Sequence, residues 1–214
     1  MKHKLVLDVD GVLLNFIEAF EQVALSLEDQ FKNKLNINEN LYDLAERLGI
    51  SREEEQIVWD KFSHSGTWGN LNPLPGVEES IKKIHDANCE IYIVTAIDEI
   101  HKEARLLNLL KIGISPKEIH CVGHGKAKTE YINSINPDIF IDDRLEHLHN
   151  APSVYHLVWL QDGVEQKNLI EDQGVHVSVN SLKEWVDHHM DNVLEKLDKA
   201  KKKNMPLQRE LKFI

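Results

Sequence analysis

Beyond Pro73 the chain alternates between two hydrophobic rhythms. Unbroken apolar runs of strand length occur at Glu90 to Thr95, Ile119 to Val122, Ile139 to Ile141, Val154 to Leu160 and Val175 to Val179, and another, Lys4 to Leu7, precedes them all. Between the runs, apolar residues recur at helical spacing, first as Val77, Ile81, Ile84 and Ala87 within Gly76 to Asn88. Helices are also expected at Asp98 to Ile112, with Asp98 as N-cap, at Thr129 to Ile135 before the Asn136-Pro137 stop, and at Leu145 to His149. Ser181 opens a long C-terminal helix containing Trp185 and Val186. Strands that lack polar alternation are buried on both faces. The pattern therefore predicts an α/β protein with a doubly wound, mostly parallel sheet.

Residues 15–71 break the rhythm, because they contain no convincing strand. Asn15 to Leu27, Leu41 to Leu48 and Ser51 to Phe62 read as helices, the last opening with a Ser51-x-x-Glu54 capping box. So long a helical stretch between the first two strands exceeds an ordinary crossover. It predicts a small helical cap at 15–71 inserted into a core made of 1–14 and 72–190, with 191–214 as a C-terminal helix and tail. The proline-rich Asn70 to Gly76 segment is the stiff return.

Chemistry gathers at the ends of the strands. The first run delivers Asp8 and Asp10, followed at once by Gly11; the run Ile139 to Ile141 ends in Asp142-Asp143; Ile91 to Val94 ends in Thr95-Ala96. Aspartates are poor strand residues, and like charges brought together raise one another's pKa. In an open parallel sheet ligands bind beyond the carboxyl ends of the strands, so neighbouring strands would bring Asp8, Asp10, Thr95, Asp142 and Asp143 to one crevice. Hard oxygen donors of this kind suit Mg²⁺. Gly123 to Thr129 also lies at that edge and carries Lys126 and Lys128. The segment lacks the Gly-x-x-x-x-Gly-Lys-Ser/Thr pattern of a nucleotide P-loop. Lys128, at the start of the helix leading into the Asp142 strand, is the better placed to balance the carboxylates.

Composition narrows the partners. The 214 residues are 42% hydrophobic and 29% charged, and the formal net charge of −11 argues against a nucleic-acid polymer or an anionic membrane as partner. A small phosphorylated substrate stays compatible, because a bound cation and a lysine set the local field. The apolar stretches are strand-sized, no signal peptide is evident, and Cys89 and Cys121 read as buried thiols. A cytoplasmic protein is expected.

These motifs resemble the haloacid dehalogenase (HAD) superfamily of Mg²⁺-dependent phosphatases. Asp8-Val9-Asp10-Gly11-Val12 looks like the first motif of that superfamily, Thr95 the second, Lys128 the third and Asp142-Asp143 the fourth. The insert is similar to a type-1 cap on a Rossmann-like core. Asp-x-Asp-Gly-Val-Leu-x-x-Phe, the Leu-Pro-Gly return and Ile-Asp-Asp-Arg most resemble the 5′(3′)-deoxyribonucleotidase-like members, although Thr95-Ala96-Ile97 stands where those usually carry Thr-Ser-Pro. The resemblance implies a phosphomonoesterase working through an aspartyl-phosphate. Asp8 would be nucleophile and Asp10 acid and base, with Thr95, the Ala96 amide and Lys128 on the phosphoryl group. Mg²⁺ would be held by Asp8, Asp10 through its backbone carbonyl, Asp143 and Asp142. A nucleoside monophosphate is the leading substrate class. A sugar phosphate or other small organophosphate is the alternative, and a non-catalytic phospho-sensor the remaining one.

For specificity, Phe16, Trp59, Phe62 and Trp68 either stack on a base or pack the cap. Asn15 and Arg144 flank the first and fourth motifs, where substrate contact competes with surface or hinge roles. His120, His124, His147 and His149 form no metal quartet, since the last two, two apart on a short helix, do not share a face. Lys199 to Lys203 reads as the solvated end of a helix, where positive charge suits the macrodipole.

Overall fold

The structure, a computed structural model, describes residues 2–31, 34–151, 154–160 and 175–203. Strands β1 (His3–Leu7), β2 (Cys89–Thr95), β3 (Ile119–Cys121), β4 (Ile139–Asp142), β5 (His156–Leu160) and β6 (Val177–Val179) form one sheet. Their order is β3-β2-β1-β4-β5-β6, and all pair in parallel. The chain winds outward from β1 to one edge, then returns and winds to the other, so the direction reverses between β1 and β4. Such a reversal opens a crevice at the carboxyl ends of the two central strands.

Side chains alternate between two cores because successive strand residues face opposite sides. Leu5, Leu7, Ile91, Ile93, Ile139, Ile141, Val158 and Leu160 pack on one side. There they meet α4 (Val77–Asp86), α5 (Lys102–Lys111), α8 (Leu182–His188) and α9 (Met190–Lys202). Val6, Tyr92, Val94, Phe140, Leu157 and Trp159 face the other side, covered by α6 (Thr129–Ile135) and α7 (Leu145–His149).

The stretch between β1 and α4 is helical, as its pattern predicts. It holds α1 (Phe16–Leu25), α2 (Leu44–Leu48) and α3 (Arg52–His64), with 3₁₀ turns at Glu28–Phe31 and Thr67–Gly69. Each α-helix begins at a side chain that accepts a backbone N–H: Asn15 for α1, Asp43 for α2, and the complete Ser51–Glu54 box for α3. Phe20, Phe31, Leu48, Val58 and Phe62 are buried and continuous with the larger core. Departure and return lie side by side: Asn15 N–H donates to the Asn72 carbonyl at 2.8 Å, Leu74 N–H donates to the Leu13 carbonyl at 2.9 Å, and Leu14 bridges to Pro73.

Helix α5 holds the returning segment. Buried Asn108 accepts from Leu71 N–H at 2.8 Å and donates to the Leu71 carbonyl at 3.0 Å, while Lys111 donates to the Gly69 carbonyl. Asn108→Ala leaves both main-chain groups of Leu71 unpaired in the interior. The expected cost is about 2–4 kcal/mol, read from urea unfolding. A change below about 0.5 kcal/mol would mean that water replaces the amide at once.

Two sequence expectations are corrected. The long C-terminal helix is two helices, α8 and α9, parted at His189, whose φ of −123° and ψ of −34° leave the helical region. The lysine run is solvated only in part: Lys199, Lys202 and Lys203 are exposed, but Lys201 Nζ lies 2.8 Å from the Asp138 carboxylate at the foot of β4. Met190, Val193, Leu194 and Leu197 bury the other face of α9. Cys89 and Cys121 are free and buried, and burial pushes both thiols up to about 11. Among the described residues no helix is long and apolar enough to cross a membrane.

Candidate active site

Strand register brings the first two carboxylates together. Leu7 is opposite Ile141, so Asp8 and Asp142, one residue further on, end adjacent strands at the same level. Asp8 N–H continues the ladder to the Ile141 carbonyl at 3.0 Å. By alternation both side chains leave the sheet on the side of Val6 and Phe140, the side covered by α6. Lys128 is the N-cap residue of α6 and is buried, with Nζ 2.7 Å from Asp8 Oδ2 and 2.8 Å from Asp142 Oδ2. Lys126 lies on the exposed loop instead. The lysine that sequence position favoured is the one in contact with the carboxylates.

The two aspartates are not equivalent. Asp142 accepts from Lys128 Nζ, from Arg144 N–H at 2.8 Å and from His147 Nδ1 at 3.0 Å. Burial works to raise its pKa, but the Lys128 charge and the His147 hydrogen bond outweigh it and bring the carboxyl down to about 2. Among the described residues Asp8 Oδ1 accepts only its neighbour's amide, Val9 N–H at 2.7 Å. Burial and then the Asp142 charge outweigh Lys128, and Asp8 is pushed up to about 6. A buried carboxylate that is costly to ionise and held on both oxygens is fixed in one orientation.

Asp143 and Thr95 complete the rim. Gly11 turns the chain after β1 at a φ of +78°, and a Cβ there would stand 2.6 Å from Asp143 Oδ2. The bare α-carbon is what lets the Asp143 carboxylate sit against the first loop. Thr95 is buried, and its hydroxyl has no partner among the described residues. Asp8, Asp10, Thr95, Ala96 and Asp143 line a single cavity of about 690 Å³. All seven residues singled out from the sequence thus meet at this rim, with Lys128 and Asp142 forming the buried layer beneath Asp8.

The donor set fits a divalent cation. Asp8, Asp142 and Asp143 carry three negative charges in a buried cluster that contains one ammonium group, Lys128. One ligand atom each from Asp8, Asp142 and His147 lie within 4.8 Å of one another. Hard carboxylate oxygens dominate, as Mg²⁺ prefers, with His147 as an added nitrogen at the margin. His147 was set aside on sequence because His149, two residues along the same short helix, does not share its face. Its place comes instead from α7 following directly on the Asp142-Asp143 strand end.

Asp10 has a partner that the sequence pattern hid. Arg105 of α5 is fully buried, and its Nη2 donates to Asp10 Oδ1 at 2.7 Å and Oδ2 at 2.9 Å. The signal was the helical period of α5 and the residue that follows it: Arg105, Asn108, Leu109 and Ile112 share the buried stripe, while Leu107 and Leu110 are exposed.

The outer wall is aromatic. Phe62 packs inside the helical insert, whereas Phe16, Trp59 and Trp68 also line the cavity. Phe16 stacks with Trp59 at 5.6 Å and 24°, and with Trp68 at 6.1 Å and 18°. Tyr42 and Arg144 line the same cavity, with the guanidinium 5.9 Å from the ring. Burial and then the Asp143 charge raise the Tyr42 phenol, so it stays protonated as a donor at the site. Asn15 is occupied elsewhere, capping α1 through Glu18 N–H.

Comparison with known proteins follows this geometry. The family model described as 5′ nucleotidase, deoxy (pyrimidine), cytosolic type C protein matches residues 2–161. No curated protein matches the chain at a significant level. Among solved structures, a haloacid dehalogenase-like hydrolase from Streptococcus pneumoniae superposes with a TM-score of 0.63 at 11% identity, covering 87% of this chain and 98% of its own. A Thermotoga maritima protein assigned as a beta-phosphoglucomutase gives 0.56 at 22% identity, covering 92% and 100%. A Bacillus subtilis protein assigned as a HAD-type hydrolase, in a magnesium-bound crystal form, gives 0.58 at 17% identity, covering 90% and 100%. At these identities the three structures share the fold.

Proposed function

The chain belongs to the 5′ nucleotidase, deoxy (pyrimidine), cytosolic type C family of HAD-type phosphatases, and from that premise we propose that it is a Mg²⁺-dependent phosphomonoesterase hydrolysing a 5′-nucleotide or deoxynucleotide monophosphate. The observation that carries this reading is the buried Asp8–Lys128–Asp142 cluster, with the Thr95 hydroxyl, which has no partner among the described residues, at the same cavity.

The chemistry is two displacements at phosphorus. Asp8 attacks, forming an Asp8–phosphorus bond as the bond to the leaving oxygen breaks. Asp10 gives its proton to that oxygen, then takes a proton from the water that displaces Asp8 and releases phosphate. Lys128 and the Val9 amide fix the Asp8 carboxylate, which removes orientational freedom before attack. The Thr95 hydroxyl and the Ala96 amide, with Lys128, meet charge on the transferred oxygens. Asp8, the Asp10 carbonyl, Asp143 and Asp142, with His147 alongside, would hold Mg²⁺, whose charge would reduce repulsion between the carboxylate and the phosphate dianion.

The aromatic wall supports a nucleobase as leaving-group body, since a flat π-face suits the near-parallel rings of Phe16, Trp59 and Trp68. The cytosolic description of the family supports a cytoplasmic location. Phosphate release from ribo- and deoxynucleoside monophosphates and from sugar phosphates, each with Mg²⁺ or with chelator, tests the whole reading. The nucleotides are expected to exceed sugar phosphates in kcat/KM by about 10²-fold. A preference for sugar phosphates would overturn the substrate and leave the phosphatase. Release that is undiminished by chelator would overturn the role of the cation.

A further inference from the structure

Arg105 is an expensive residue to bury where it stands. It has no exposed surface, and only Nη2 is used, shared between the two oxygens of Asp10. Nε and Nη1 are buried without a partner among the described residues. The guanidinium carbon lies 5.2 Å from the Trp68 ring, which stacks in turn on His101 at 5.2 Å. An apolar side chain of similar volume would fill this space without stranding two donors, and replacement of buried ion pairs by such residues is often neutral or stabilising. Packing alone therefore does not account for an arginine here. Among the described residues its one polar attachment is to the carboxylate assigned to proton transfer.

We propose that Arg105 is a positioning residue for Asp10, holding its carboxylate toward the leaving oxygen and stabilising the anion left when Asp10 has given up its proton. The inference deepens the phosphatase reading and rests on it. Asp10 sits on the loop that follows β1, beside the positive-φ Gly11, where the backbone alone does not hold a side chain in one direction. Arg105 supplies that restraint from a separate, rigid element. Helix α5 is itself anchored through Asn108 to the segment returning from the helical insert. Guanidinium is suited to this task because it stays charged at every working pH and cannot take the proton itself. The proton passes from the Asp10 carboxyl to the leaving oxygen, and the resulting carboxylate stays opposite Nη2, ready to accept a proton from water.

The consequence is selective. Loss of Arg105 harms the step in which a poor leaving group needs a proton, and spares a substrate whose leaving group departs as a stable anion. Arg105→Met is expected to lower kcat on a nucleoside monophosphate or simple alkyl phosphate by about 10²-fold, the usual size of general-acid assistance, and on p-nitrophenyl phosphate by less than about fivefold. Arg105→Lys, which keeps the charge but loses the reach, should fall between wild type and Arg105→Met on the alkyl substrate. In an Asp10→Asn background, Arg105→Met should cause no further loss on the alkyl substrate, because the two residues act as one unit. Equal losses on both substrates would mean that Arg105 merely supports the fold, and would overturn the proposal. Additive losses in the double variant, or an unchanged Arg105→Lys, would overturn it too. If Arg105→Met does not fold, Arg105→Lys read on the same two substrates decides the question alone. A wild-type enzyme inactive on every phosphomonoester would instead sink the phosphatase reading itself.

Discussion

Asp8→Asn is expected to abolish turnover, lowering kcat by about 10⁴-fold or more, with the circular-dichroism spectrum unchanged. The amide nearly matches the carboxylate in shape but does not displace a phosphate ester, and removal of a nucleophile costs losses of this order. Acid-quenched wild type incubated with labelled substrate should retain a phosphoenzyme that the variant lacks. Comparable labelling of both would move the nucleophile elsewhere. The same substitution has a second effect, of opposite sign, on stability. The Asp8 carboxyl is raised from 3.8 to about 6 by burial and the neighbouring Asp142 charge. An acid whose native pKa lies above its unfolded value stabilises the fold at low pH, and that contribution disappears as pH climbs through the native value. Metal-free Asp8→Asn protein should therefore gain stability relative to wild type between pH 4 and pH 7. Parallel pH profiles in urea would contradict the buried, uncompensated charge.

Lys128→Met should damage both chemistry and fold. Its Nζ is the ammonium group in contact with both Asp8 and Asp142, and it is buried with them. Breaking a buried ion pair from one side costs about 3–5 kcal/mol, because the remaining charges stay in the interior without compensation. Turnover should fall by about 10³-fold, as when a fixed donor to a developing anion is removed. The stability deficit should narrow at pH 4, where the abandoned carboxylates take up protons, and Mg²⁺ should raise the melting temperature of the variant more than that of wild type. A deficit equal at both pH values, with no extra response to Mg²⁺, would show that methionine fails on shape and not on charge.

The strand-end carboxylates were readable because they interrupt apolar runs, where an aspartate has no structural reason to be. Asp8 and Asp142 gain their adjacency from register alone, and Lys128 gains its reach from capping the helix that precedes β4. Arg105 was not readable in the same way. It stands in a Lys-Glu-Ala-Arg-Leu stretch that looks like an ordinary solvated helix face, and only the buried stripe it shares with Asn108 and Leu109 reveals it. His147 was set aside for a different reason: it was weighed against other histidines, whereas its partner is the Asp142 carboxylate five residues earlier, at the close of β4. The break at His189 left no trace either. Leu182, Trp185, Val186, Met190, Val193, Leu194 and Leu197 keep one helical spacing across it, so periodicity reads straight through.

The helical excursion after β1 leaves the core and comes back through one doorway. Leu13, Leu14 and Asn15 run alongside Asn72, Pro73 and Leu74, joined by main-chain hydrogen bonds and a bridge. With its threshold already fastened, the excursion adds little closure entropy, and doubling its length would cost only about 0.6 kcal/mol. The sheet end that carries Asp8 and Asp142 can thus tolerate changes in the excursion, because the register of β1 on β4 alone brings the two carboxylates face to face.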